Sequence, residues 1–152
     1  MRRGFGLITA IIILVVVSTL MSLMISLSAT SVKQTTDIFF KEQAELLARG
    51  AVEFGLLAIS GHENNVSCVE NINITYPSAN QPTHEANLTM YYIFDRVATP
   101  VVNCGTSHTL DTNIDTNKSN LTVMIDVRVS VRQDATGISE PIVIHRRTIQ
   151  KP

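Results

Sequence analysis

Charge is what this sequence has least of. Only 16% of its 152 residues are charged, and 12 Lys and Arg stand against 13 Asp and Glu. Such a balance offers no electrostatic footprint for nucleic acid, and that class of partner is set aside. Catalytic and metal-binding signatures are missing as well. The chain has no Gly-x-Ser-x-Gly, no phosphate-cradling loop, no His-Glu-x-x-His and no Cys-x-x-Cys. Its histidines, His62, His84, His108 and His145, are scattered and read as isolated surface residues. No metal, no cofactor and no enzymatic activity are expected. Repeats, Pro-rich linkers and charged tails are absent too.

What is present begins at the N-terminus. No charge occurs between Arg3 and Lys33, and the run from Phe5 to Ala29 is predominantly apolar. About 20 such residues cross the hydrocarbon core of a bilayer, so residues 5–31 are expected to form a transmembrane helix. Arg2 and Arg3 precede the run, and the positive-inside bias keeps the N-terminus in the cytoplasm and sends the rest outward. The run is longer than the apolar region of a secretory signal, although Ser26-Leu27-Ser28-Ala29 offers a weak cleavage site; an uncleaved signal anchor is the other plain reading. Ser18, Ser22 and Ser26 recur every four residues. Such a face either lets helices approach closely or merely bonds back to its own carbonyls.

Beyond Val32 the pattern becomes amphipathic. Ala44, Leu47, Ala48, Ala51, Phe54, Gly55 and Ala58 follow helical spacing and are expected to pack on the head, while Lys41, Glu45, Arg49 and Glu53 run down another face in alternating sign. Gly50 and Gly55 mark a bend or a close contact. Gly61 is a natural C-terminal stop. A continuous helix over 5–60 would be on the order of 84 Å long, more than a bilayer requires.

The head, residues 61–152, reads as β. Strands are expected at Val66–Thr75, Leu88–Phe94, Leu121–Arg132 and Ile142–Ile149, the last two joined through Asp134-Ala135-Thr136-Gly137. In the third, Val123, Ile125, Val127, Val129 and Val131 alternate with polar residues, as in an antiparallel sheet with one face buried and one wet. The expected fold class is therefore α+β, a long N-terminal transmembrane and amphipathic helix packed on a small antiparallel sheet. Cys68 and Cys104 are the only cysteines. Outside the cytoplasm such a pair is most simply a disulfide, with two free thiols as the alternative.

The order Arg3-Gly4-Phe5-Gly6-Leu7-Ile8 at the head of the apolar run carries a sharper signal. A short basic leader ending in Gly, then Phe and a long apolar helix, resembles the N-terminus of type IV pilins and of type II secretion pseudopilins. The resemblance covers about the first 60 residues. It implies a leader of residues 1–4, cleavage between Gly4 and Phe5 by a prepilin peptidase, N-methylation at Phe5, a helix over 5–60 and a pilin-like head. It also implies other pilin or pseudopilin subunits and an inner-membrane assembly platform as partners. The location implied is the bacterial inner membrane, with the head in the periplasm, and later a filament. Thr9 stands where most of these subunits carry Glu, a departure that points to a minor subunit. The rival class is a single-pass binding module outside any filament. Separately, Asn65, Asn87 and Asn117 head Asn-x-Ser/Thr patterns with Glu63, Glu85 and Asp115 two places earlier, which resembles the extended acceptor of bacterial N-glycosylation; Asn73 and Asn120 carry the shorter pattern.

Overall fold

The computed structural model describes residues 3–62, 67–95, 104, 107–114 and 121–151. In chain order these form α1 (Arg3–Ser60), β1 (Asn71–Tyr76), β2 (His84–Asp95), β3 (Thr109–Ile114), β4 (Leu121–Val131), α2 (Gln133–Thr136) and β5 (Val143–Gln150). The chain divides into two compact units, Met1–Ile38 and Phe39–Pro152.

The first unit is helical. Its Ile and Val residues favour strands in water, but a helix satisfies every backbone N–H and C=O internally, which a bilayer demands. Leu7, Ile12, Leu14, Met24 and Leu27 are all well exposed. Hydroxyls fold back on the helix: Thr9 Oγ1 donates to the Gly6 carbonyl at 3.1 Å, Thr19 to Val16 at 2.8 Å and Thr30 to Ser26 at 3.0 Å. That removes their need for an outside partner.

In the second unit, residues 39–60 of α1 cover one face of a five-stranded sheet ordered β1-β2-β4-β5, with β3 also paired to β2. The β2–β4 pairing is antiparallel and runs from His84 opposite Val131 to Phe94 opposite Leu121. Val123, Ile125, Val127, Val129 and Val131 are buried, as their alternation required, and face inward beside Ala86, Leu88, Met90 and Tyr92 of β2. On the helix the inward residues are small: Ala44, Ala48, Ala51 and Gly55, with Val52 and Ile59. A Cβ on Gly55 would lie 3.1 Å from Met90 Cε and 3.2 Å from Leu88 Cδ2, so this glycine marks a close contact of helix on sheet. α1 ends where expected, the Gly61 N–H bonding to the Leu57 carbonyl at 2.9 Å.

Five expectations need correction. β1 begins at Asn71, not Val66, and residues 67–70 precede it without strand structure. Phe54 is 50% exposed, not packed on the head; it precedes Gly55, where Leu88 and Met90 of the sheet approach the helix backbone closely, and lies about 100° round the helix from that contact. β2 begins at His84, four residues before the expected start. β3 was not expected, because Leu110 and Ile114 are its only apolar residues, and it pairs with β2 in parallel with an irregular register; the sheet is thus antiparallel only in its other three pairings. The turn after β4 holds the single helical turn α2, closed by Gly137 at φ 67°. That left-handed conformation suits a residue without Cβ.

Candidate functional site

The N-terminal features lie on α1. Gly4 and Phe5 fall in its first turns, and Thr9 bonds to its own helix. By length and composition α1 is a candidate membrane span. Within the second unit the helix carries a further exposed apolar stripe on the side away from the sheet: Phe39, Leu46 (65% exposed), Phe54 and Leu57 (66%). The spacing 39, 46, 54, 57 follows helical periodicity, so these residues share a face. Gly50 lies along it with open space around its Cβ position. Beside the stripe, Gln43, Leu46, Leu47 and Tyr76 line a shallow groove of about 230 Å³. Of the alternating charges, Arg49 and Glu45 form an ion pair at 2.7 Å.

Cys68 and Cys104 are joined as a disulfide with Cα atoms 5.0 Å apart. The bond sits on a seam. β1 and β3 occupy the same edge of β2, β1 along residues 84–89 and β3 along 92–95. The segments leading into them hold β2 between the two pairings. The Met90 N–H donates to the Glu70 carbonyl at 2.9 Å, and the Tyr92 N–H donates to the His108 carbonyl at 2.7 Å. The Tyr92 hydroxyl donates to the Val69 carbonyl at 2.6 Å. Burial pushes the Tyr92 phenol up to about 12, against the lowering effect of that hydrogen bond. His108, mostly buried, donates from Nδ1 to the Met90 carbonyl at 3.0 Å and stacks on Tyr91.

The expectation of surface histidines also fails at His84, which is fully buried. Its Nε2–H donates to the Phe40 carbonyl of α1 at 3.3 Å, and its Nδ1 lies 2.8 Å from Thr83 Oγ1. It thereby ties helix to sheet. Sequence reasoning missed it because His84 lies upstream of the expected strand; extending the alternation of β2 two steps back, through Ala86, was the signal.

On the exposed sheet face Asp126 is the hub. His145 Nε2 bonds to Asp126 Oδ1, and Arg147 Nε donates to Asp126 Oδ2 at 3.0 Å. Burial alone would raise the Asp126 carboxyl, but the hydrogen bonds from Arg147 and His145 overcome it and hold the group below the usual carboxylate range. This cluster depends on the β4–β5 register, Asp126 opposite Arg147, which a turn of unknown length conceals in the sequence. Among the described residues no group of His, Cys, Asp and Glu is arranged to hold a metal.

Of the glycosylation candidates, Asn65 and Asn117 lie outside the described residues. Asn87 is exposed in the middle of β2, laddered to β1 on one side and β4 on the other, directly opposite Asn73.

The fold and these surfaces define an α+β chain with a candidate membrane-spanning helix and a disulfide-closed head. Comparison with protein-family models, with curated proteins and with solved structures found no match.

Proposed function

We propose that the chain is a minor pilin-like or pseudopilin-like subunit, cleaved between Gly4 and Phe5, N-methylated at Phe5 and inserted through α1 into a filament of a type IV pilus or type II secretion machine. The N-terminus faces the cytoplasm, and the head stands outside the bacterial inner membrane. The observation that carries this reading is the second apolar stripe of α1. A plain anchor needs exposed apolar side chains only over the span, which Leu7 to Val32 supplies. Phe39, Leu46, Phe54 and Leu57 continue on the half that carries the head, where water is the alternative to a neighbour. Neighbouring subunits give them something to pack on. Thr9, satisfied on its own helix, makes no demand for a partner's amine, in keeping with a minor rather than a bulk subunit. The role is assembly, not catalysis.

The test is the N-terminal residue and mass of the protein from native membranes, with and without an active prepilin peptidase. Methylated Phe5 that disappears with the peptidase is the expected result; a start at Met1 or near Ala29 in both samples overturns the reading. The rival, a membrane-anchored binding module, is favoured by one observation, a row of exposed polar side chains on the sheet face, Asn73, Asn87 and Arg128, that make no side-chain hydrogen bond among the described residues.

A further inference from the structure

Strand register sets the side chains of the exposed sheet face in rows. One row runs Asn71, Thr89, Asp126, Arg147 across β1, β2, β4 and β5. It is satisfied internally: Thr89 Oγ1 donates to Asn71 Oδ1 at 3.2 Å, and Arg147 and His145 occupy the two oxygens of Asp126. The adjacent row runs Asn73, Asn87, Arg128, His145. His145 turns to Asp126, and the other three are exposed and make no side-chain hydrogen bond or ion pair among the described residues. Among the described residues the two carboxylates nearest Arg128 in register are taken by other arginines. Asp126 is engaged by Arg147, and Glu85, diagonal to Arg128 across the β2–β4 pairing, lies 3.6 Å from Arg132 instead. An uncompensated guanidinium therefore stands in mid-sheet beside two uncommitted carboxamides.

We propose that this row binds an acidic polysaccharide, with a uronate carboxylate on Arg128 and ring hydroxyls on Asn87 and Asn73. The planar fork of a guanidinium matches a carboxylate bidentately. A carboxamide offers a donor and an acceptor side by side, which is what a pair of hydroxyls requires. With strands about 4.8 Å apart, the three groups span roughly 10 Å in a line, the footprint of an extended polymer rather than of one small anion. A peptide strand fits less well, because β2 and β4 are paired on both sides and present no free main-chain groups. The inference does not rest on the filament reading; a filament subunit and an anchored module would both display this face.

The experiment measures binding of polygalacturonate, neutral dextran and poly-glutamate to the full chain in detergent micelles, for the natural protein and for Arg128→Gln, Asn87→Ala and Arg146→Gln. Arg128 is exposed and makes no side-chain hydrogen bond or ion pair among the described residues, so its variant is expected to keep the fold. Arg146 pairs in register with buried Val127, not with this row, and is equally charged. Saturable binding to polygalacturonate alone is expected, weakened at least about tenfold by Arg128→Gln, reduced by Asn87→Ala and unchanged by Arg146→Gln. The proposal is overturned by absence of polygalacturonate binding, by equal loss in the two arginine variants, or by equal affinity for poly-glutamate. An intact mass that places a glycan on Asn73 or Asn87 overturns it too, since the row would then carry its own sugar.

Discussion

His84 separates two ways in which a buried polar side chain can hold a helix to a sheet, by hydrogen bonding or by filling volume. Its ring lies 5.8 Å from that of Phe40 and 6.0 Å from that of Tyr76, and its nitrogens meet the Phe40 carbonyl and Thr83 Oγ1. Both polar partners have a second engagement. Phe40 lies within α1, where its carbonyl accepts the helical bond from four residues on, and Thr83 Oγ1 also reaches the Tyr76 carbonyl at 3.1 Å. His84→Phe keeps the volume and orphans no group, and should destabilise by about 1 kcal/mol, the net worth of a hydrogen bond or so. His84→Ala opens a cavity at a fully buried site and should cost roughly 3 kcal/mol. The assay is urea unfolding of the full chain in micelles, followed by tyrosine fluorescence. The chain has no Trp to mask its three tyrosines, and Tyr76 reports on the site directly. If His84→Phe is as damaging as His84→Ala, hydrogen bonding rather than packing makes this junction, and the reasoning is wrong.

Two further predictions use the same unfolding assay. Cys68→Ser with Cys104→Ser, or reduction of the natural protein, should lower stability by roughly 4 kcal/mol in the chain-entropy model for a separation of 36 residues; an unmoved midpoint would refute a stabilising role. Asp126 titrates below its ordinary value of about 3.9 when folded, so its contribution is complete above about pH 4 and is lost as pH falls through the lower folded value. Asp126→Asn should therefore flatten the acid side of the stability profile, and a profile of unchanged slope would show that the cluster contributes nothing.

Much of the fold could be read because two patterns are local. The strict alternation from Leu121 to Val131 identified its buried and wet faces before any partner was known, and the uncharged run after Arg3 identified the apolar half of α1. Where tertiary pairing decides, the sequence was silent. Thr109–Ile114 becomes a strand only because the edge of β2 beyond β1 is vacant to it. α1 carries two apolar stripes in the head, one of Ala and Gly and one of Phe and Leu. Hydrophobicity favours the larger residues for the core, but the bulk of Leu88 and Met90 reverses that choice. The open row on the sheet face was invisible for a similar reason, since Asn73, Asn87 and Arg128 are neighbours only through register.

The composition of the helix–sheet core also bears on how so small a head becomes ordered. Ala44, Ala48, Ala51 and Ala86 surrender no side-chain rotamers on burial. Val52, Val123, Val127, Val129 and Val131 are β-branched and stiff at χ1 even in the unfolded chain. Leu88 and Met90, at the contact with Gly55, belong with Ile59, His84, Tyr92, Ile125 and Ile138 to the minority of buried residues that have two or more torsions to freeze. The ordering entropy of this core therefore falls mainly on the backbone, which the sheet ladder and the disulfide already restrict, and a modest buried area suffices to hold the head in one arrangement.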